Sequence, residues 1–380
     1  MNGRSIVFIN QATGYLAIDI INEFASEFSE VALITGSVRV QDIPPDNRVK
    51  VAFIPKYNRG NIVKKAISWF TGTVAILFLL LTRFRRYEIV FFTIPPTAYL
   101  FAPLFRSRYS IIIYDLYPDA LSVYGISPKN IFCRWWSKRN ATIFRKAHKI
   151  YTLSEKMRSA ALAYSPEADV HVIHNWSAFS SRERISRESN MIAERSGFNG
   201  KFVVQYSGNI GVTHHVESLV EVAEKLKEHD DIIVAIIGRG RRYHEIDRMI
   251  REKHLKNCII LPFRPDGELF ESLCAADLAV VTLDNRTPNI SVPSKVYNIL
   301  TAGTPLMAIT SQDSGIADMV RKHEAGEVFS YDDIEGMSGY VLRLKNDRAL
   351  HARLSENSLI ASRDYTVANA VKYLEVYKQE

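Results

Sequence analysis

Asp115 and Lys295 carry the charges most suited to chemistry in this chain. Asp115 closes the apolar run Ser110-Ile-Ile-Ile-Tyr114, and Lys295 opens an apolar-periodic segment behind Pro293-Ser294. A carboxylate at the carboxyl end of a strand can orient an acceptor hydroxyl or take its proton. A lysine at a helix start, beside unpaired N–H groups, can hold an anion. Ser291 and Ser294 add hydroxyls next to Lys295, with Ser294 the expected N-cap of a helix over 295–302 and Gly303 its stop. Gly208, Asn209 and Gly211, and then Gly238 with Gly240, follow two further apolar runs, and small residues there let a backbone approach a phosphate closely. Together these loops are able to hold a nucleotide diphosphate. Taken alone, Asp115 is equally a turn cap and the Lys295 segment an ordinary capped helix.

Other chemistries lack their residues. The chain has no Asp-x-Asp, His-Glu-x-x-His or Cys-x-x-Cys, so neither a metal nor another cofactor is expected. No Gly-x-x-x-x-Gly-Lys-Ser/Thr loop argues for a P-loop ATPase. His214 and His215 are adjacent and their side chains diverge, which suits capping or substrate contact better than a metal pair. No RNP-type or zinc-finger pattern points to nucleic acid.

The elements that must position these residues read as a doubly wound α/β series, met twice. In the first, strands are expected at 5–10, 30–35, 49–54, 88–93, 110–114, 149–153 and 170–173, with helices over 15–28, 97–105 and 132–147. Gly14 lies in the first strand-to-helix loop, which lacks the full Gly-x-Gly-x-x-Gly pattern and serves an acceptor site or a turn. Residues 66–82 form a run of 17 without charge, flanked by Lys64-Lys65 and Arg83-Phe-Arg-Arg86. That is short for a membrane span, and a strand follows it, so a crossover or interfacial helix is expected. The polar stretch 177–195 reads as a linker. A second series follows, with strands at 201–206, 232–237, 258–261, 277–283, 306–310 and 326–329, and helices that include 215–228. The expected domains are residues 1–180 and 196–363, two Rossmann-like units facing a cleft, with a final helix over 364–380 returning to the first.

Charge is uneven. Residues 1–150 hold 20 Lys and Arg against 9 Asp and Glu, a net of +11, whereas the remainder holds 28 against 32, a net of −4. A basic first half suits an anionic partner such as a membrane surface or a phosphorylated lipid. Three scattered cysteines, Cys133, Cys258 and Cys274, fit a reducing compartment, and the N-terminus reads as a strand and not as a leader, so an unexported protein is expected.

The motifs resemble family 4 glycosyltransferases of the GT-B fold, in particular the bacterial surface-polysaccharide enzymes. The second series carries Tyr206-Ser-Gly-Asn-Ile-Gly211, Gly238-Arg-Gly240, Leu261-Pro-Phe-Arg264, Glu268-Leu269, Ala276-Asp277, Val292-Pro-Ser-Lys-Val-Tyr297 and Ala302-Gly-Thr-Pro305. The first carries Asp115-Leu-Tyr-Pro118, Thr152-Leu-Ser-Glu155 and His174-Asn-Trp176. The resemblance implies a nucleotide-sugar donor, UDP-linked, bound by the second domain through Gly208, Asn209, Gly211, Gly238, Arg239, Phe263, Arg264, Ser291, Ser294, Lys295 and Asn298. It implies a polyprenyl-diphosphate-linked glycan acceptor bound by the first through Gly14, Asp115, Tyr117 and Asn175. It further implies metal-independent transfer with retention of configuration, Lys295 and Asp115 being catalytic, at the cytoplasmic face of the inner membrane, in O-antigen, capsule or exopolysaccharide synthesis. The chain departs from the family where two glutamates eight positions apart are usual, having Ile290 and Asn298 instead. That departure admits two alternatives, a GT-B sugar-nucleotide 2-epimerase and a catalytically weak GT-B binding subunit.

Overall fold

The computed structural model describes residues 3–58, 60, 62–211, 214–283 and 292–379. The chain divides into two compact units: one comprises the residues up to Ala178, Val292 and those from Val367 onward, and the other the remaining described residues between Phe179 and Thr366.

The first unit contains β1 (Ser5–Ile9), α1 (Tyr15–Ala25), β2 (Glu30–Thr35), β3 (Val49–Phe53), α2 (Ile62–Thr82), β4 (Glu88–Phe92), β5 (Tyr109–Ile112), α3 (Ile131–Lys146), β6 (Ile150–Thr152), α4 (Glu155–Leu162) and β7 (Val170–Val172). The second contains α5 (Met191–Arg195), β8 (Phe202–Asn209), α6 (Glu217–Lys225), β9 (Ile232–Arg239), α7 (Tyr243–Glu252), β10 (Cys258–Pro262), α8 (Asp266–Cys274), β11 (Leu278–Thr282), α9 (Lys295–Thr301), β12 (Leu306–Ile309), α10 (Gly315–Lys322), β13 (Gly326–Phe329), α11 (Ile334–Asn346) and α12 (Arg348–Ser362). A last helix, α13 (Asn369–Lys378), belongs to the first unit.

Each unit is built on one parallel sheet among the described residues, ordered β3-β2-β1-β4-β5-β6-β7 in the first and β10-β9-β8-β11-β12-β13 in the second. The strands are apolar on both faces because helices cover both, as parallel sheets require. Strand order reverses between β1 and β4, and again between β8 and β11. At such switch points the loops after neighbouring strands part, and a crevice opens at the carboxyl ends. The residues after β1 and β4, and those after β8 and β11, are therefore where each unit can take a ligand.

Helix α2 joins β3 to β4, two parallel strands of the same sheet, and is a crossover helix. Its inner face includes Gly72, where an added Cβ would meet the Gln11 amide nitrogen at 2.3 Å. That amide donates to the Ser68 carbonyl at 2.8 Å and the Pro55 carbonyl at 2.9 Å, tying the helix to the loop after β1.

Three local expectations change. Residues 98–104 form a 3-10 turn with Pro103 inside it instead of an α-helix. Helix α6 begins at Glu217, because His215 takes a left-handed φ of 41° that a helix cannot include, and its ring stacks on Tyr331 with centroids 4.5 Å apart. The polar stretch before β8 is anchored from Phe179 on within the second unit. Arg187 pairs with Asp277, and Asn190 caps α5 while donating to the Glu271 carbonyl at 2.8 Å.

Helix α13 closes the first unit by aromatic packing and one shared carboxylate. The Tyr377 ring meets Phe24 and Phe28 edge-on at 5.3 and 5.9 Å. Its hydroxyl donates to Glu88, which also accepts two hydrogen bonds from the Arg4 guanidinium. Replacing Glu88 by Ala removes the acceptor that the Arg4 guanidinium and the Tyr377 phenol share at a half-buried site. Glu88→Ala is expected to lower the hydrogen-exchange protection of the α13 amides, while the amides of β8 and β9 keep theirs.

Candidate active site

The switch-point loops of the second unit are shaped by glycine. At the tips of β8 and β9 the two backbones approach so closely that a Cβ on Gly238 would stand 1.9 Å from the Gly208 carbonyl oxygen. A Cβ on Gly240 would stand 2.2 Å from the Ile210 carbonyl oxygen. The Ile210 amide donates to the Arg239 carbonyl at 2.9 Å, and the Arg242 amide to the Ile210 carbonyl at 3.1 Å. Two loops are thus held as one layer by backbone alone. On Gly211, a Cβ would meet the Asn209 amide nitrogen at 2.6 Å.

Lys295 reaches this layer from the first turn of α9. A Cβ on Gly208 would be 2.5 Å from its Nζ. The ammonium lies 4.2 Å from the centroid of the Tyr206 ring, and it is fully enclosed, with no hydrogen-bond partner among the described residues. Tyr206 in turn donates its hydroxyl to the Asn209 carbonyl at 2.7 Å. Burial pulls the Lys295 ammonium down from 10.5 to about 8. The sequence singled out Lys295, Gly208 and Asn209, and the structure brings them together. Tyr206, which links them, carried no role in the sequence reading, although an aromatic residue two places before a strand-end glycine is the signal that could have flagged it.

Other candidates fall nearby or apart. Arg239 lies over the Phe263 ring, 4.9 Å from its centroid. Arg264 donates to the Ser196 hydroxyl at 2.9 Å and stands 4.0 Å from the Glu268 carboxylate, so that guanidinium is engaged within its own unit. Ser294 occupies the N-cap position of α9 but takes helical φ and ψ and makes no side-chain cap bond, so the expected cap does not form. The other end is as expected. Gly303, at a φ of 64°, ends the helix, with its amide donating to Leu300 and that of Thr304 to Ile299. Asn298 is buried in α9. Ser291 and Ile290 lie outside the described residues.

In the first unit the candidates follow strand ends. Asp115 is half-buried beyond β5, and its amide, with that of Tyr114, donates to Thr93 Oγ1 beyond β4 at 3.2 and 3.1 Å. Gly14, before α1, has nothing within 4 Å of where a Cβ would lie. Asn175, beyond β7, is buried with its Oδ1 unpartnered. The Tyr117 ring is packed on Trp136, 5.8 Å away and near-parallel, and edge-on to Trp69 at 5.6 Å, so it serves the core that supports Asp115.

An ammonium held at about 8 in the folded chain and 10.5 in the unfolded one destabilises the fold wherever both forms are charged. The penalty is fully present below pH 8, shrinks as pH rises from 8 towards 10.5, and amounts to about 3 kcal/mol by linkage. Lys295→Met is therefore expected to raise the melting temperature at pH 7, with a gain that fades by pH 10; an equal gain at both values would contradict the burial.

Residues 189–359 match the family model described as glycosyl transferases group 1. The chain is 22% identical over 319 residues to a Pseudomonas aeruginosa protein named as the glycosyltransferase WbjE, covering 81% of this chain and 80% of that one. It is 26% identical over 217 residues to an Escherichia coli K12 protein named as the colanic acid biosynthesis glycosyl transferase WcaI, covering 55% of this chain and 52% of that one. The solved structure of Anabaena HepE in complex with UDP-glucose superposes with a TM-score of 0.72 at 13% identity, covering 98% of each chain. The fold is GT-B.

Proposed function

We propose that the chain, whose residues 189–359 match the glycosyl transferases group 1 model, is a glycosyltransferase that moves a sugar from a UDP-linked donor to a lipid-linked oligosaccharide. The observation that carries the donor half is the Lys295 ammonium, enclosed beside the Gly208 backbone at a switch point with no counter-charge among the described residues. An anion that brings its own negative charge to this position offsets the cost of burying the Lys295 ammonium. The diphosphate of a nucleotide-sugar meets that need, and HepE, of the same fold, binds UDP-glucose. In the transfer the bond from the anomeric carbon to the diphosphate oxygen breaks, and the departing UDP takes the bonding pair. Lys295 stabilises the charge that develops on that oxygen, so no metal is required. The acceptor hydroxyl forms the new bond to the anomeric carbon and gives up its proton. Asp115 orients that hydroxyl or receives the proton. Retention of configuration belongs to the same reading.

The acceptor half rests on the outer face of α2. Val63, Ile67, Phe70, Val74, Phe78 and Leu81 recur at helical spacing and are each more than half exposed, from 52% to 70%. Lys64 and Arg83, Arg85 and Arg86 flank this stripe. An apolar stripe with basic ends suits shallow insertion into an anionic bilayer, where a polyprenyl-linked acceptor resides. The names of WbjE and WcaI place those proteins among glycosyltransferases, WcaI in colanic acid synthesis, and a surface-polysaccharide role at the inner membrane follows for this chain within the proposal.

Two measurements test it. Asp115→Ala and Lys295→Ala are each expected to lower sugar transfer to a polyprenyl-diphosphate-linked acceptor by at least about 100-fold, with transfer by the unaltered protein insensitive to EDTA. Wild-type rates in either variant would remove that residue from the mechanism. Phe70→Ser with Phe78→Ser is expected to abolish sedimentation with phosphatidylglycerol vesicles at low salt while leaving UDP binding intact; unchanged sedimentation would refute the α2 assignment.

A further inference from the structure

The contact between Tyr206 and Lys295 goes beyond a binding lysine. Three facts bear on it. The ammonium lies 4.2 Å from the ring centroid, and a cation held against an aromatic face and away from water is stabilised by the ring quadrupole. The ring cannot swing away, because Tyr206 is fully buried and its hydroxyl donates to the Asn209 carbonyl at 2.7 Å. The same bond fixes the turn that carries Asn209 and Gly208, and the lack of a Cβ on Gly208 leaves room for the ammonium. One side chain thus sets both the loop and the cation.

We propose that Tyr206 is a positioning residue of the donor site, whose ring shelves the Lys295 ammonium over Gly208 and yields it to the donor's diphosphate. The inference rests on the donor site proposed above. The aromatic face supplies only part of what a counter-ion would, so the shelved group is poised between charged and neutral, at about 8. Among the described residues, Tyr206 is the titratable group set against Lys295; its own hydroxyl is pushed far up by burial and stays neutral. Among the described residues no charged side chain figures in the Lys295 shift, whose cause is burial. When a diphosphate arrives, the contact with the ring is exchanged for charge-assisted hydrogen bonds that favour the ammonium. Above pH 8 the neutral amine must then take one proton from solution as the nucleotide binds.

Calorimetry with UDP as the probe, in buffers of different ionisation heat, reads this directly. Uptake is expected to be near zero at pH 7 and close to one proton at pH 9, with affinity falling about tenfold per pH unit above the midpoint. Lys295→Arg, which stays charged, should bind UDP without uptake. Tyr206→Phe keeps the ring and should keep the midpoint while weakening UDP binding through the freed Asn209 turn. Tyr206→Leu removes the ring and should move the midpoint to lower pH. Binding of UDP by the unaltered protein at pH 9 without uptake overturns the proposal, even if the leucine variant does not fold. So does a midpoint in Tyr206→Leu that is unmoved or raised. Failure of the unaltered protein to bind UDP at any pH removes the donor site itself, and with it this inference.

Discussion

An ammonium enclosed with no counter-charge among the described residues governs the form of the second unit's site. Lys295 needs its surroundings to be small, rigid and weakly electron-rich, and each is supplied by a different element. Gly208 leaves the space, the joined tips of β8 and β9 leave no slack, and the Tyr206 face offers the attraction. A methyl group at position 208 or 238 would conflict with one of these at once, so the glycines answer to packing as much as to any phosphate. Such an arrangement is costly to the fold and is maintained because the strands beneath it are among the most deeply buried in the unit.

The first unit meets a different constraint. Its sheet must be covered on both faces, yet one of the helices that cover it, α2, leaves a wide apolar stripe uncovered while its inner side is pressed against the Gln11 loop. The helix is therefore half a core element and half a surface one. Length and apolarity alone could not separate this from a membrane span. What separates them is topology, since β3 and β4 on either side of it run parallel in one sheet.

The doubly wound class was legible in the residues because apolar runs at strand spacing, punctuated by helical periodicity, admit few other folds. The close meeting of Gly208 with Gly238 was visible only as two separate glycine loops, since β8 and β9 pair through backbone geometry that leaves no mark on side-chain pattern. Lys295 stood out by its place after Pro293-Ser294. Its partner Tyr206 did not, because a contact across 89 positions through a ring face has no periodicity. Local helix signals were the least dependable. Ser294 has the right chemistry for a cap, but the chain enters α9 already in helical conformation, and His215 turns left-handed where apolar spacing alone would have begun α6. Ser291 and Ile290, both singled out from the sequence, fall outside the described residues.

The placement of α13 has a bearing on how the protein is made. The second unit is spliced into the first, whose sheet is synthesised early and whose closing helix comes from residues 369–378. During translation the second unit has all its strands and helices in hand while the first still exposes the faces of Phe24 and Phe28 that Tyr377 will cover. The part of the chain that begins folding first is completed last. Its unfinished apolar surface must stay soluble for the time it takes to add some two hundred residues.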